Sequence, residues 1–244
     1  MDKSVAISVR NVSKTFVIPH ERINTMRGAF VSLFKNKNYE SFKALDNISF
    51  DVRQGEFVGI IGKNGSGKST LLRILAGIYQ PDRGKVQIHG QISPFLELGI
   101  GFNPELSGRD NIYLNGILLG LTKKEIDKKF DEIVAFSELE RFIDQKLKNY
   151  SSGMQVRLAF SVAIFANRDI LLLDEVMAVG DMAFKEKSFQ KIWEFHTQGK
   201  TIILVTHDSD VVTQYCDTAI LLSEGKMLVK GDPQQAINIY THMS

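Results

Sequence analysis

Gly62-Lys63-Asn64-Gly65-Ser66-Gly67-Lys68-Ser69 is an eight-position glycine-rich phosphate-loop pattern, set between two segments of opposite character. Upstream, Phe57-Val58-Gly59-Ile60-Ile61 is a short continuous apolar run, as expected of a strand buried on both faces. Downstream, Ser69 to Ala76 reads as a helix. Strand, loop and helix in that order are the context in which such a pattern has mechanical meaning. Glycines let successive backbone N–H groups curl around phosphate oxygens, while the helix directs its positive end at them. Lys68 adds a cation and the Ser69 hydroxyl can hold magnesium. The nucleotide-binding candidates are therefore Gly62, Asn64, Gly65, Ser66, Gly67, Lys68, Ser69 and Thr70. A plain glycine-rich turn with an incidental lysine would need none of the flanking pattern.

Working outward, Ser4 to Phe16 and Leu45 to Gly62 alternate apolar and polar residues between the turn signals Asp46-Asn47 and Gln54-Gly55, and read as strands. Ile126, Phe130, Ile133, Val134 and Phe136 recur at helical spacing within Thr122 to Phe142. A second helical stretch runs from about Met154 to Ala166, before another apolar strand, Ile170 to Leu173. Ile92 to Ala166 is thus expected to be a mostly helical insertion between two sheet strands. Thr201 to Thr206, and a hairpin from Ala219 to Val229 turning at Glu224-Gly225, complete the expected sheet.

The strand Ile170 to Leu173 ends in Asp174-Glu175. A carboxylate at the end of a buried strand is costly unless a metal or a reacting water awaits it. Asp174 is the magnesium candidate, and Glu175 is placed to polarise an attacking water as general base. Alone, Asp-Glu after a strand is more often a solvated turn or a helix cap. Beside the phosphate loop the catalytic reading prevails.

Composition narrows the class. With 244 residues and 43% apolar content, the chain can bury a substantial core. Thirty basic residues against 28 acidic ones give no polyanion-binding excess, so no nucleic-acid partner is expected. A single cysteine, Cys216, lies in an apolar stretch and reads as a buried structural thiol suited to a reducing cytoplasm. The opening residues do not read as a signal peptide, and no uncharged apolar run approaches the roughly 20 residues of a membrane-spanning helix. Work at a membrane would require a partner that supplies the span.

Between the two motifs stands Tyr150-Ser151-Ser152-Gly153-Met154-Gln155, ahead of an Arg157-containing helix. Here the sequence resembles the ABC ATPase family, whose signature reads Leu-Ser-Gly-Gly-Gln. The resemblance covers nearly the whole chain. It implies an α/β P-loop NTPase fold with a mixed central sheet and an inserted helical subdomain. Residues 1–91 and 167–230 would form the nucleotide-binding core, 92–166 the signature subdomain and 231–244 a tail. It also implies that Ser151 and Gly153 contact the γ-phosphate of ATP held by a second copy. Ala178-Val179-Gly180-Asp181 matches the D-loop, giving Asp181 a place at the nucleotide, and Thr206-His207-Asp208 supplies His207 as the residue contacting γ-phosphate. Phe16 falls where the family keeps an adenine-stacking aromatic, with Tyr39 or Phe42 as alternatives. The family's usual glutamine has no counterpart in Ser93 to Phe102, where Glu97 is the nearest polar candidate for magnesium or water.

The glutamine-less Leu96 to Arg109 segment, the Tyr-Ser-Ser-Gly-Met signature, Ala-Val-Gly-Asp-Met-Ala-Phe and the insertion after Phe16 resemble the ATPases of bacterial polysaccharide exporters. That branch implies export of lipid-linked O antigen from the cytoplasmic face of the inner membrane, with an integral-membrane partner. Teichoic acid or capsular polysaccharide export is the alternative. Some O-antigen ATPases carry a further carbohydrate-binding domain, so a chain ending at Ser244 is either the short type or a truncated one. The insertion, Val17 to Lys43, places Ile23, Met26, Phe30, Leu33 and Phe34 at helical spacing among basic residues, read as a partner-facing helix or a local cover. A soluble ABC ATPase acting on DNA or ribosomes is disfavoured, since neither a long coiled-coil insertion nor a second cassette is present.

Overall fold

The computed structural model describes residues 4–19, 39–95, 99, 101–166, 168–174 and 181–243. The apolar run after the first turn forms strand β3 (Phe57–Ile61), buried at all five positions. Val58 and Ile60 enter one apolar core, while Phe57 and Ile61 enter another on the opposite face. A strand covered on both sides has no polar face to present, which is why no alternation shows in its sequence.

Around β3 run two sheets. The larger has the order β5 (Ile92–Phe95), β6 (Ile170–Leu173), β7 (Thr201–Val205), β3, β8 (Thr218–Ser223), β9 (Lys226–Gly231). All pairings are parallel except that of β9, which returns antiparallel to β8, so the sheet is mixed as expected. The smaller sheet is antiparallel, β2 (Tyr39–Arg53), β1 (Val5–Pro19), β4 (Arg83–Ile88). It shares one core with the large sheet and with helix α1 (Lys68–Leu75), through Ile7, Val9, Leu45, Ile48, Leu71 and Leu75.

Among the described residues the remaining α-helices are α2 (Gly108–Leu118), α3 (Lys123–Ser137), α4 (Ser152–Phe165), α5 (Met182–Thr197), α6 (Ser209–Tyr215) and α7 (Pro233–His242). Helices α2 and α3 start at capping boxes, Ser107 with Asp110 and Thr122 with Glu125. With α4 they close a third core around Ile112, Ile126, Ile133, Leu158 and Val162. Every residue of α4 from Leu158 to Ile164 is buried. Phe160, Ala163 and Ile164 face the core of the large sheet, while Leu158 and Val162 face that of the helices. Helix α4 is therefore the wall shared by the two regions, which explains its apolar character all round.

Three expectations shift. Ile92–Phe95, expected to open the helical insertion, is an edge strand in register with β6 from Ile92↔Ile170 to Phe95↔Leu173; a four-residue strand holding a proline is too short to display a period. Val17–Pro19 and Tyr39–Lys43, expected within the insertion, instead prolong β1 and β2, pairing Val17 with Ser41 and Pro19 with Tyr39. The helix expected from Ile23 to Phe34 lies outside the described residues. The tail expected at 231–244 contains α7, started by Asp232 as N-cap and Pro233 as first residue, with Ala236 and Ile237 buried against the large sheet.

Helix α6 approaches β3 at Gly59, where an added Cβ would lie 3.0 Å from Cys216 Sγ and 3.1 Å from a Val212 methyl. Burial, reinforced by Asp217, pushes the Cys216 thiol up to about 12, in keeping with a structural role. Two outcomes are expected. Gly59→Ala overpacks this contact and lowers stability by ~1–3 kcal/mol in urea unfolding. Cys216 stays inert to a thiol-specific disulfide reagent at pH 8 and reacts only once the chain is unfolded.

Candidate functional site

Parallel register brings the functional segments to one edge. Ile60 pairs with Val205 and Leu173 with Leu204, so β3, β6 and β7 end side by side. The phosphate loop, Asp174 and Thr206-His207 are what follow those three ends. Ligands in open α/β sheets bind outside the carboxyl ends of the strands, and a cavity lies there. Phe42, Asn64, Gly65, Gly67, Lys68, Ser69, Thr70, Asp174 and Val205 line it. Its volume, about 180 Å³, is below the ~300 Å³ at which pockets enclose whole organic ligands. It is sized for phosphate groups, and Phe42 stands on its lining.

The loop's shape follows from contacts. Gly62 has φ 152°, and an added Cβ would sit 2.2 Å from the Leu222 carbonyl oxygen on β8. Lys68, only 7% exposed, donates from Nζ to the carbonyls of Gly62 at 2.7 Å and Lys63 at 3.1 Å, holding its ammonium under the loop. Behind the loop, the Ser66 carbonyl accepts from Gly225 N–H at 3.1 Å, within the β8–β9 turn. Gly62 and Ser66, both expected to bind nucleotide, thus shape the loop from behind and are not part of the cavity lining. Gly65 differs, since it lines the cavity at φ 80° and an added Cβ would meet nothing within 4 Å. Gly67 precedes α1 as its N-cap with no side chain to offer the helix's first N–H groups, an arrangement that suits an anion.

Ser69 is exposed and Asp174 half-buried on the same cavity. One hydroxyl and one carboxylate suit magnesium, which keeps most of its places for water and phosphate oxygens. His207 is exposed immediately after β7. Glu175 and Glu97 lie outside the described residues.

Phe16 is not on the cavity lining. Its ring meets Tyr79 edge-on at 5.5 Å, and Lys14 Nζ lies 5.7 Å from its centre. Phe16 and Phe42 are paired across β1 and β2, and it is Phe42, 47% exposed, that lines the cavity.

Ser151, Gly153 and Asp181 line a different cavity, with Glu138, Phe142 and Arg157. Ser151 is the N-cap of α4, its Oγ accepting from Met154 N–H at 3.2 Å. Tyr150, standing where the signature normally has leucine, is buried and donates from its hydroxyl to the Phe142 carbonyl at 2.7 Å. Asp181 is the N-cap of α5 and accepts from Phe184 N–H at 3.0 Å. Of the expected site residues, Asn64, Gly65, Gly67, Lys68, Ser69, Thr70 and Asp174 therefore line one cavity, and Ser151, Gly153 and Asp181 line another. Arg157, noted in the sequence only as part of a helix, pairs with both Glu138 and Asp181. Its signal was a cation one turn beyond a helix cap, whose partners on other helices no local pattern reveals.

Residues 45–178 match the family model described as ABC transporter. The chain belongs to that family. ABC ATPases bind ATP with magnesium, in keeping with the donors at the first cavity. This chain is 44% identical to the O-antigen export system ATP-binding protein RfbB of Myxococcus xanthus, over 96% of its own length and 55% of the relative's. A protein of the same description from Klebsiella pneumoniae is 41% identical, with 96% of each chain covered. The teichoic acids export ATP-binding protein TagH of Lactococcus lactis is 42% identical over 97% of this chain and 50% of its own. The chain thus spans about half the length of two of these relatives and nearly all of the third. Among solved structures, the ATP-binding cassette MJ0796, dimeric in a post-hydrolysis state bound to ADP and Pi, superposes with a TM-score of 0.74 at 26% identity, covering 93% of this chain and 98% of that one.

The two loop glycines should separate in experiment. Gly65→Ala leaves the melting temperature within a few degrees, since a left-handed alanine costs roughly 1–2 kcal/mol, yet weakens ATP binding about tenfold or more by intruding on the phosphates. Gly62→Ala instead collapses thermal stability, because its methyl group meets a backbone carbonyl that cannot yield.

Proposed function

We propose that this chain is the ATP-hydrolysing subunit of an ABC transporter that exports lipid-linked O-antigen polysaccharide across the bacterial inner membrane. In this reading it sits on the cytoplasmic face, bound to an integral-membrane partner. The observation that carries the ATPase is the division of the family's functional residues between two cavities. Among the described residues neither cavity is a complete ATP site, so two copies would face each other, each first cavity completed by the other chain's Ser151 and Gly153. Export of O antigen is supported by the end-to-end match to the Klebsiella relative. Teichoic acid export is the second reading, favoured by the 42% identity to TagH.

Each residue has a role in that reading. Lys68 and the N–H groups of Asn64, Gly65 and Gly67 to Thr70 hold the triphosphate, and Phe42 takes the adenine platform expected of Phe16. Ser69 and Asp174 would hold magnesium, which supplies charge neutralisation on the phosphate oxygens. Glu175 accepts a proton from the attacking water, and His207 contacts the terminal phosphate. Glu97, in place of the family glutamine, orders water or magnesium beside them. ATP favours the closed pair of chains, and its loss reopens them, a difference in affinity that can move an attached membrane domain. Among the described residues no helix is long and apolar enough to cross a membrane.

Two measurements test this. Glu175→Gln is expected to lower turnover by ~10²–10⁴-fold while ATP stays bound; undiminished phosphate release would remove Glu175 from the role of base. Co-expressed with the membrane protein encoded beside its gene, the chain should co-purify and hydrolyse ATP faster with lipid-linked glycan. Failure to associate, with activity answering to DNA or ribosomes, would overturn the transporter.

A further inference from the structure

Arg157 occupies the second turn of α4, on the cavity that also holds Ser151 and Gly153. Its side chain is only 18% exposed. One terminal nitrogen donates to Glu138 Oε2 at 2.8 Å and the other to Asp181 Oδ2, while the guanidinium lies 5.0 Å from the centre of the Phe184 ring. Glu138 is the C-cap of α3, in a left-handed backbone at φ 60°, and its second oxygen accepts from Lys187 Nζ on α5 at 2.9 Å. Lys187 also donates to the Phe136 carbonyl near the end of α3, at 3.0 Å. The Phe184 N–H, with Arg157 behind it, holds the Asp181 carboxyl below the usual range, and Lys187 chiefly does the same for Glu138.

Four charged side chains thus join three helices. Helices α3 and α4 belong to the helical region, whereas α5 packs into the core of the large sheet through Phe184, Ile192 and Phe195. An exposed ion pair of one lysine and one carboxylate would do little to join them. A planar guanidinium braced on an aromatic ring is different, because it fixes two carboxylates in one plane, which an ammonium cannot.

We propose that Arg157 is a positioning residue that locks the Ser151–Gly153 face and the Asp181 turn into one rigid surface, presented as a unit to the second copy. This rests on the reading that ATP is hydrolysed between two copies. The lock holds Asp181 at a fixed distance from the α4 cap, so the start of α5 and the signature face cannot be aligned separately. Arg157 is not among the described residues that line the first cavity, so nucleotide capture by the same chain should not depend on it.

The test uses the full chain as parent, Arg157→Met, Arg157→Lys, Asp181→Asn and the Arg157→Met/Asp181→Asn double variant. Amide hydrogen exchange, affinity for a fluorescent ATP analogue and turnover are followed in each. In Arg157→Met, exchange at Met154 and Phe184, in the first turns of α4 and α5, should rise together. Affinity should stay within about twofold, and kcat should fall by ~10²-fold, the scale of a misplaced constellation. Arg157→Lys should recover little, and the double variant should be no slower than the slower single one. Wild-type turnover in Arg157→Met, unchanged exchange at Phe184, or single effects that multiply in the double variant would overturn the lock. If Arg157→Met does not fold, Arg157→Lys decides by the same readings. A parent that hydrolyses no ATP would overturn the ATPase reading, and the paired exchange at Met154 and Phe184 would then decide the lock alone.

Discussion

Everything at the nucleotide edge depends on how closely the backbone at Gly62 passes β8. The chain leaves β3 against the Leu222 carbonyl, and no side chain fits between them. Beyond that contact the loop residues Asn64, Gly65 and Gly67 line one cavity with Val205 at the end of β7, and Gly67 caps α1. Lys68 then folds back on the carbonyls of Gly62 and Lys63, so a buried cation is held where the strand ends converge. A cation in that position makes sense of Asp174 at the end of the neighbouring but one strand. The sheet's parallel register, with β7 between β3 and β6, sets the spacing of the two.

The elements legible in the sequence were those whose physics is local. Strands β3 and β6, and β7 after its first residue Thr201, are buried on both faces and read as unbroken apolar runs, and the loop glycines mark the turn between strand and helix. Other elements left weaker traces. Strand β4, Arg83-Gly84-Lys85-Val86-Gln87-Ile88, is largely exposed and carries few apolar residues. Helix α2 turns Asn111 into its core, where the side chain donates to the carbonyls of Asn103, Leu106 and Ser107. A buried asparagine satisfied in this way erases the hydrophobic period that would have revealed the helix. Helix α5 likewise buries Ser188 among Phe184, Ile192 and Phe195.

The candidate site divides along the same line. Lys68, Ser69, Thr70 and Asp174 could be placed because order along the chain is enough to bring them together in a parallel sheet. The choice between Phe16 and Phe42 could not, since both stand at one cross-strand position and only the turn of the sheet decides which reaches the cavity. The partners of Arg157 were hidden for a related reason. They sit at the end of one helix and the start of another, and only the packing of α3 and α5 against α4 brings them within reach.

The turn joining β8 to β9 gives the loop its back wall. Gly225 donates to Ser66, its own carbonyl accepts from Asp46 N–H at 2.8 Å, and an added Cβ on it would lie 2.9 Å from the Ala44 carbonyl. The phosphate loop, written early in the chain, is thus completed by residues written near its end. On a ribosome synthesising from the N-terminus, β3 and the loop emerge long before the strand that must close against them. Until residue 225 has left the exit tunnel, the nascent chain holds a glycine-rich loop with no wall behind it. Nucleotide bound in the loop stabilises most the state in which that wall is in place.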